Sequence, residues 1–198
     1  MNSTDLAKDP IIIDLRRSID NMDISFLNLL AERMRVADKI MRLKRSRKID
    51  LNRSEARIND MRRLVAMSVD LKMGSVFFRK ILDLVFQDAM IRFDSPPADQ
   101  STPPICDGAE LEVLRTTLFN LDKSLCLILA ERFKVVKRIG SYKCRRGIPF
   151  LDRARWRQVL EHKIATARSI DISATLVRDI FTAIHEVALN IEERISDR

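Results

Sequence analysis

An all-α fold is predicted, made of two fused three-helix repeats whose long helices pair into an intramolecular pseudo-dimer. Three observations carry this. The 198-residue chain repeats itself at a shift of 99 residues. Each copy opens on an apolar seam of alternating 3- and 4-residue steps that runs for about 30 residues. Turn-forming residues are scarce, with Gly 4, and Tyr plus Trp occur only once each, which argues against a β-sandwich or barrel.

The repeat is legible residue by residue. The shift carries Leu15-Arg16 onto Leu114-Arg115, Asp23 onto Asp122, and Leu30-Ala31-Glu32-Arg33 onto Leu129-Ala130-Glu131-Arg132. Val36, Ile40 and Lys44 fall on Val135, Ile139 and Lys143, and Ile81-Leu82 on Ile180-Phe181. One offset with no net gap indicates tandem duplication. Residues 94–108, with four prolines and small polar side chains, read as a non-helical linker. The domains are therefore expected at 1–93 and 109–198.

The elements follow in order. In the first long helix the seam is Leu15, Ile19, Met22, Phe26, Leu29, then Val36, Ile40, Leu43. In the second it is Leu114, Leu118, Leu121, Leu125, Ile128, then Val135, Ile139, Tyr142. Helices of this length need a partner to bury the seam. A shorter helix is expected over 53–68 and again over 152–168, and a last one over 75–93 and 173–194. Gly147-Ile148-Pro149 breaks the chain before the second of the short helices, and Asp171 and Ser173 are start signals for the final helix.

Composition narrows the function. The formal charge is +8 with 36 Lys and Arg against 28 Asp and Glu. The basic run Arg42 to Lys48 reads as a solvated helix end favoured by the dipole, not as a nucleic-acid surface. The apolar runs are far shorter than the roughly 20 residues of a membrane span. The first ten residues show no basic-then-apolar leader pattern, and a cytoplasmic location is expected. Three cysteines outside any CxxC spacing read as free thiols and not as a zinc site. His162 and His185 read as structural, and no metal or cofactor is expected.

The seam is interrupted at one position in each copy. Where an apolar residue is expected between Leu29 and Val36, and between Ile128 and Val135, the chain has Arg33 and Arg132. A guanidinium on an interhelical seam costs several kcal/mol unless it is paired. Lys44 and Lys143 lie about three turns further on the same face. Arg16 and Arg115 lie toward the other helix end, so antiparallel packing would bring Arg16 to Arg132 and Lys143. The result is two pockets rich in cations and poor in anions, matched to a small dicarboxylate that guanidinium forks grip bidentately. The plainer reading of each arginine is a salt bridge to an acid on another helix.

These residues resemble the all-helical AroQ class of chorismate mutases. The resemblance rests on Leu15-Arg16, Ile19-Asp20, Asp23, Leu29-Leu30-Ala31-Glu32-Arg33 and Lys44 in copy one. In copy two it rests on Leu114-Arg115, Asp122, Leu129-Ala130-Glu131-Arg132, Lys143 and the stretch Gly147 to Arg155. It implies a pseudo-dimer with two pockets and the Claisen rearrangement of chorismate to prephenate, which needs no nucleophile, metal or cofactor. It also leaves room for further self-association or for a partner enzyme of the same pathway.

Carried over by position, the resemblance implies that Arg132 grips one carboxylate and that Arg16 reaches across from copy one. Lys143 would donate to the ether oxygen, with Glu192 as the second donor once protonated. Asp152 and Arg155 match the family's second-helix pair. Trp156 stands where the family has Glu, and Ala188 where it has Ser. The copy-one pocket keeps Arg33, Lys44 and Arg115. Its second-helix positions fall on Ala56 and Arg57, or on Ser54 and Glu55, and Ala89 and Phe93 match Ala188 and Glu192. It is expected to be catalytically dead. The alternatives are a mutase or lyase for aminodeoxychorismate or isochorismate, and a non-catalytic binding or regulatory descendant.

Overall fold

The computed structural model describes residues 9–48, 55–94, 108–150 and 152–196. Six helices are present among them and no strand: α1 Pro10–Ser46, α2 Glu55–Asp70, α3 Ser75–Asp94, α4 Gly108–Arg145, α5 Arg153–Ser169 and α6 Ala174–Ser196. Residues 95–107, most of the expected linker, lie outside the described residues, as do Ser54 and Leu151. Among the described residues, no helix is long and apolar enough to cross a membrane.

The long helices, α1 and α4, have 37 and 38 residues. Pro10 opens α1, where its missing N–H costs nothing and its φ already suits a helix. Asp9 caps it, accepting from the Ile11 and Ile12 amides at 3.0 and 3.4 Å. Helix α6 is capped by Ser173, whose Oγ accepts from Leu176 N at 3.2 Å. Asp171, the other expected start signal, instead occupies a left-handed turn at φ 59°.

The duplication extends to strained backbone. Positive φ occurs at Lys48 (56°) and Gly147 (62°), and again at Lys72 (60°) and Asp171 (59°). Each pair is separated by the repeat shift. Left-handed backbone is uncommon outside glycine, so its recurrence marks two turns inherited twice, one after each long helix and one after each short helix.

The chain divides into two compact units that cut across the repeats. One combines Met1–Leu27 with Leu127–Arg198, and the other is Asn28–Cys126. In the first unit Ile12 and Leu15 of α1 pack with Val135, Ile139 and Tyr142 of α4 and with Ile148. The two helix segments run antiparallel there: Asp9 accepts a hydrogen bond from Tyr142 Oη, while Asp23 pairs with Arg132. In the second unit Val36, Ile40 and Leu43 of α1 pack with Leu111, Leu114, Leu118 and Leu121 of α4. Each unit thus buries one half of one seam against the opposite half of the other, and each has its own short and final helix.

Candidate active site

The first unit gathers the residues expected in the copy-two pocket. Arg132 is only 8% exposed, and its Nε donates to Asp23 Oδ1 at 2.7 Å. The pairing of Arg132 corrects the expectation of cations without counter-charge. The acid comes from α1, on the segment that lies antiparallel to α4, and a buried guanidinium is stable only with such a partner. The pairing is incomplete, however. Arg132 Nη1 is buried and has no hydrogen-bond partner among the described residues. Asp23 Oδ2 also lacks a hydrogen bond, although Lys163 Nζ is 3.3 Å away. Lys163, 2% exposed, bonds to Asp20 Oδ1 at 3.3 Å as well.

Lys143 and Glu192 form the second feature. Lys143 Nζ donates to Phe150 O at 2.8 Å and to Glu192 Oε1 at 3.3 Å. Both side chains are buried. Burial holds the Glu192 carboxyl above the usual carboxylate range, against the opposing pull of Lys143 and Arg16. Burial likewise lowers the Lys143 pKa, with Glu192 opposing it. Gly140 permits this arrangement: a Cβ there would meet Ile195 Cδ1 at 3.0 Å and Glu192 Cγ at 3.1 Å. The glycine lets α6 lie close against α4 and brings Glu192 to Lys143.

Arg16 is half-buried, and its pKa is lowered first by burial and then by the charge of Arg155. The two guanidiniums lie in electrostatic range of each other, with Asp152, Asp20 and Glu192 also acting on Arg16. Asp152 caps α5 by accepting from Arg155 N at 3.0 Å, which fixes the start of the helix that carries Arg155 and Trp156. Trp156 stacks on His185, centroids 3.9 Å apart and planes 8° from parallel. Burial, then Arg132 and Lys143, lower the His185 pKa, which favours the neutral imidazole beside these cations. Ala188 sits half-buried on α6, one turn before Glu192, and offers no donor.

The second unit holds a cavity of about 130 Å³ lined by Arg33, Lys44 and Arg115, with Asp122, Ala89 and Phe86. Arg33 Nε donates to Asp122 Oδ1 at 3.1 Å, the counterpart of Arg132 with Asp23. Arg57 also lines this cavity, so a second-helix arginine is present after all, one residue beyond the position matching Arg155. Its guanidinium lies 3.2 Å over the Phe86 ring. Arg57 and Phe86 occupy the positions that match Trp156 and His185, so both copies hold a stacked planar pair there. Phe93 is not among the lining residues; its ring lies 3.7 Å beneath the Arg45 guanidinium.

Sequence reasoning did not assign roles to Asp23, Asp122, Lys163, Arg57 or Gly140, and it read His185 as structural. The recurrence of Asp23 at Asp122 was the available signal for the first two. Nothing in a linear pattern marks Lys163, whose burial arises only from packing.

The family described as Chorismate mutase type II matches residues 15–91 and 114–193, one segment per copy and together more than half of the chain. No solved structure matches the chain.

Proposed function

The chain belongs to the type II chorismate mutases, and from that premise we propose that it rearranges chorismate to prephenate in the unit that carries Arg132. The observation that carries this reading is the buried Arg132 Nη1 without an acceptor. Such a donor costs about 1–3 kcal/mol if it stays unsatisfied, and a substrate carboxylate would satisfy it. Arg16 and Arg155 would take the second carboxylate and hold the substrate in the folded geometry that brings the reacting carbons together.

The reaction breaks the ether C–O bond as a C–C bond forms within one molecule. Negative charge grows on the ether oxygen, so donors aimed there lower the barrier. An ammonium has three N–H donors. Two on Lys143 go to Phe150 O and Glu192, which leaves the third for the ether oxygen. Protonated Glu192, favoured by burial, supplies the second donor. The fused chain acts as a pseudo-dimer in this reading, with Arg16 of copy one completing the copy-two site. A second reading, action on a relative of chorismate, is favoured by the Trp156–His185 stack, which presents an aromatic wall where the family has a carboxylate.

The test is incubation with chorismate, aminodeoxychorismate and isochorismate separately, with products identified by mass and NMR. Prephenate from wild type and Arg33→Ala but not from Arg132→Ala is expected. Product from Arg132→Ala with none from Arg33→Ala would reverse the assignment of the sites. Absence of product from all three compounds would make the chain a non-catalytic binder.

A further inference from the structure

Lys163 of α5 is a buried ammonium of the first unit that the second unit lacks. It is 2% exposed, and its Nζ lies 3.3 Å from both Asp20 Oδ1 and Asp23 Oδ2. At the repeat shift Lys163 becomes Leu64 and Asp20 becomes Phe119. Leu64 and Phe119 both line the cavity of the second unit, beside Arg33 and Asp122. An ion pair in one unit thus stands where the other has two apolar side chains, while the arginine–aspartate pair next to it is kept in both. Burying an ammonium carries a large desolvation cost, and buried ion pairs are often replaceable by apolar residues with no loss of stability. Stability gives Lys163 no purpose that the apolar pair would not serve.

We propose that Lys163 is a positioning residue for the substrate of the first unit: acting through Asp23, it keeps Arg132 attractive to a carboxylate. This rests on the mutase reading given above. Asp23 has two opposed effects on Arg132. It makes a buried guanidinium tolerable, and its negative charge repels any carboxylate that approaches the unpartnered Nη1. Lys163 offsets the repulsion, because the Asp23 carboxylate then faces two cations, Arg132 Nε at 2.7 Å and Lys163 Nζ at 3.3 Å. Asp20, half-exposed, balances Lys163 from outside and also lies in electrostatic range of Arg16. Two cations therefore meet two acids, which lets the group stay buried without a bound anion, yet the acid next to Arg132 is shared. In the second unit Asp122 pairs with Arg33, and position 64 supplies no cation. Enclosed as it is, Lys163 acts on Asp23 and does not touch substrate.

The test is steady-state kinetics with chorismate on the full chain, with a thermal melt of each variant. Lys163→Leu, which installs the residue of the other copy, is expected to raise KM about tenfold, the scale of one neighbouring charge at the effective dielectric of a protein. It should leave kcat within about threefold, the pattern of an interaction felt equally by bound substrate and transition state. Lys163→Leu with Asp20→Phe transplants the apolar pair of the second unit and restores the net charge. This double variant should melt like wild type, with KM still raised, because Asp23 still lacks its second cation. A wild-type KM in the double variant overturns the proposal, since packing or net charge alone then explains Lys163. So does an unchanged KM in Lys163→Leu, or a fall in kcat with KM unchanged. Lys163→Met keeps the side-chain length without the charge and stands in where either of the others fails to fold: a raised KM is expected there, and a wild-type KM overturns the proposal. Turnover by the wild type is read separately. If it forms no prephenate, the mutase reading fails by itself, and the calorimetric Kd for chorismate replaces KM in the same comparison; a wild type that neither turns over nor binds chorismate overturns both.

Discussion

Replacing Asp23 by Ala should destabilise the protein more than replacing Asp122 by Ala, although the two are repeat equivalents. Asp23 is 1% exposed and faces two buried cations, Arg132 Nε at 2.7 Å and Lys163 Nζ at 3.3 Å. Asp122 faces Arg33 Nε at 3.1 Å, and the position matching Lys163 is Leu64. Breaking a buried pair by removing one partner costs about 3–5 kcal/mol. Asp23→Ala should fall at the upper end, because it strands Arg132 and leaves buried Lys163 with Asp20 alone, and Asp122→Ala at the lower end. For a chain of this size those losses lower Tm by about 6–20 °C. Thermal and urea melts followed by circular dichroism measure both. Adding Lys163→Met to Asp23→Ala should recover part of the loss, since it removes a buried cation left with Asp20 alone. An Asp23→Ala loss smaller than that of Asp122→Ala, or no recovery with Lys163→Met, would refute the idea that an ionic triad underlies the site.

Three further outcomes are expected. Burial raises the Glu192 pKa, so the protonated, donating form is present below that pKa. Turnover should fall as pH rises through it, and Glu192→Gln should flatten the profile; a wild-type profile already flat from acid to neutral pH would remove Glu192 from the donor role. Gly140→Ala places a methyl 3.1 Å from Glu192 Cγ and should lower kcat about tenfold or more. Its overpacking cost of about 1–3 kcal/mol is partly offset by helix propensity, so equal kcat in variant and wild type would show that Glu192 position does not matter. Burial pushes the Cys126 thiol pKa up to about 12, and the residue is 0% exposed. In a Cys106→Ser chain, a thiol reagent at pH 8 should label exposed Cys144 and reach Cys126 only after denaturation, as peptide mass mapping would report.

Much of this protein is local information. The apolar seams, the shift of 99 and the break at Gly147-Ile148-Pro149 are properties of neighbouring residues, and they place α1 to α6 to within a few residues. Arg33 and Arg132 stand out in the sequence because a cation breaks an otherwise apolar period, and the resemblance of that motif leads to the family. What the guanidiniums meet is another matter. Arg132 pairs with Asp23, which is 109 residues away, and Trp156 stacks on His185 across two helices. Arg57 reaches the cavity from the position matching Trp156, one residue beyond the one matching Arg155. Gly140 reads as a weak point in a helix until the close approach of α6 gives it a purpose. Periodicity reports which face of a helix is buried. Only the packing of helices against one another decides which side chains meet on that face, because burial sets both the cost of each charge and the partner that relieves it.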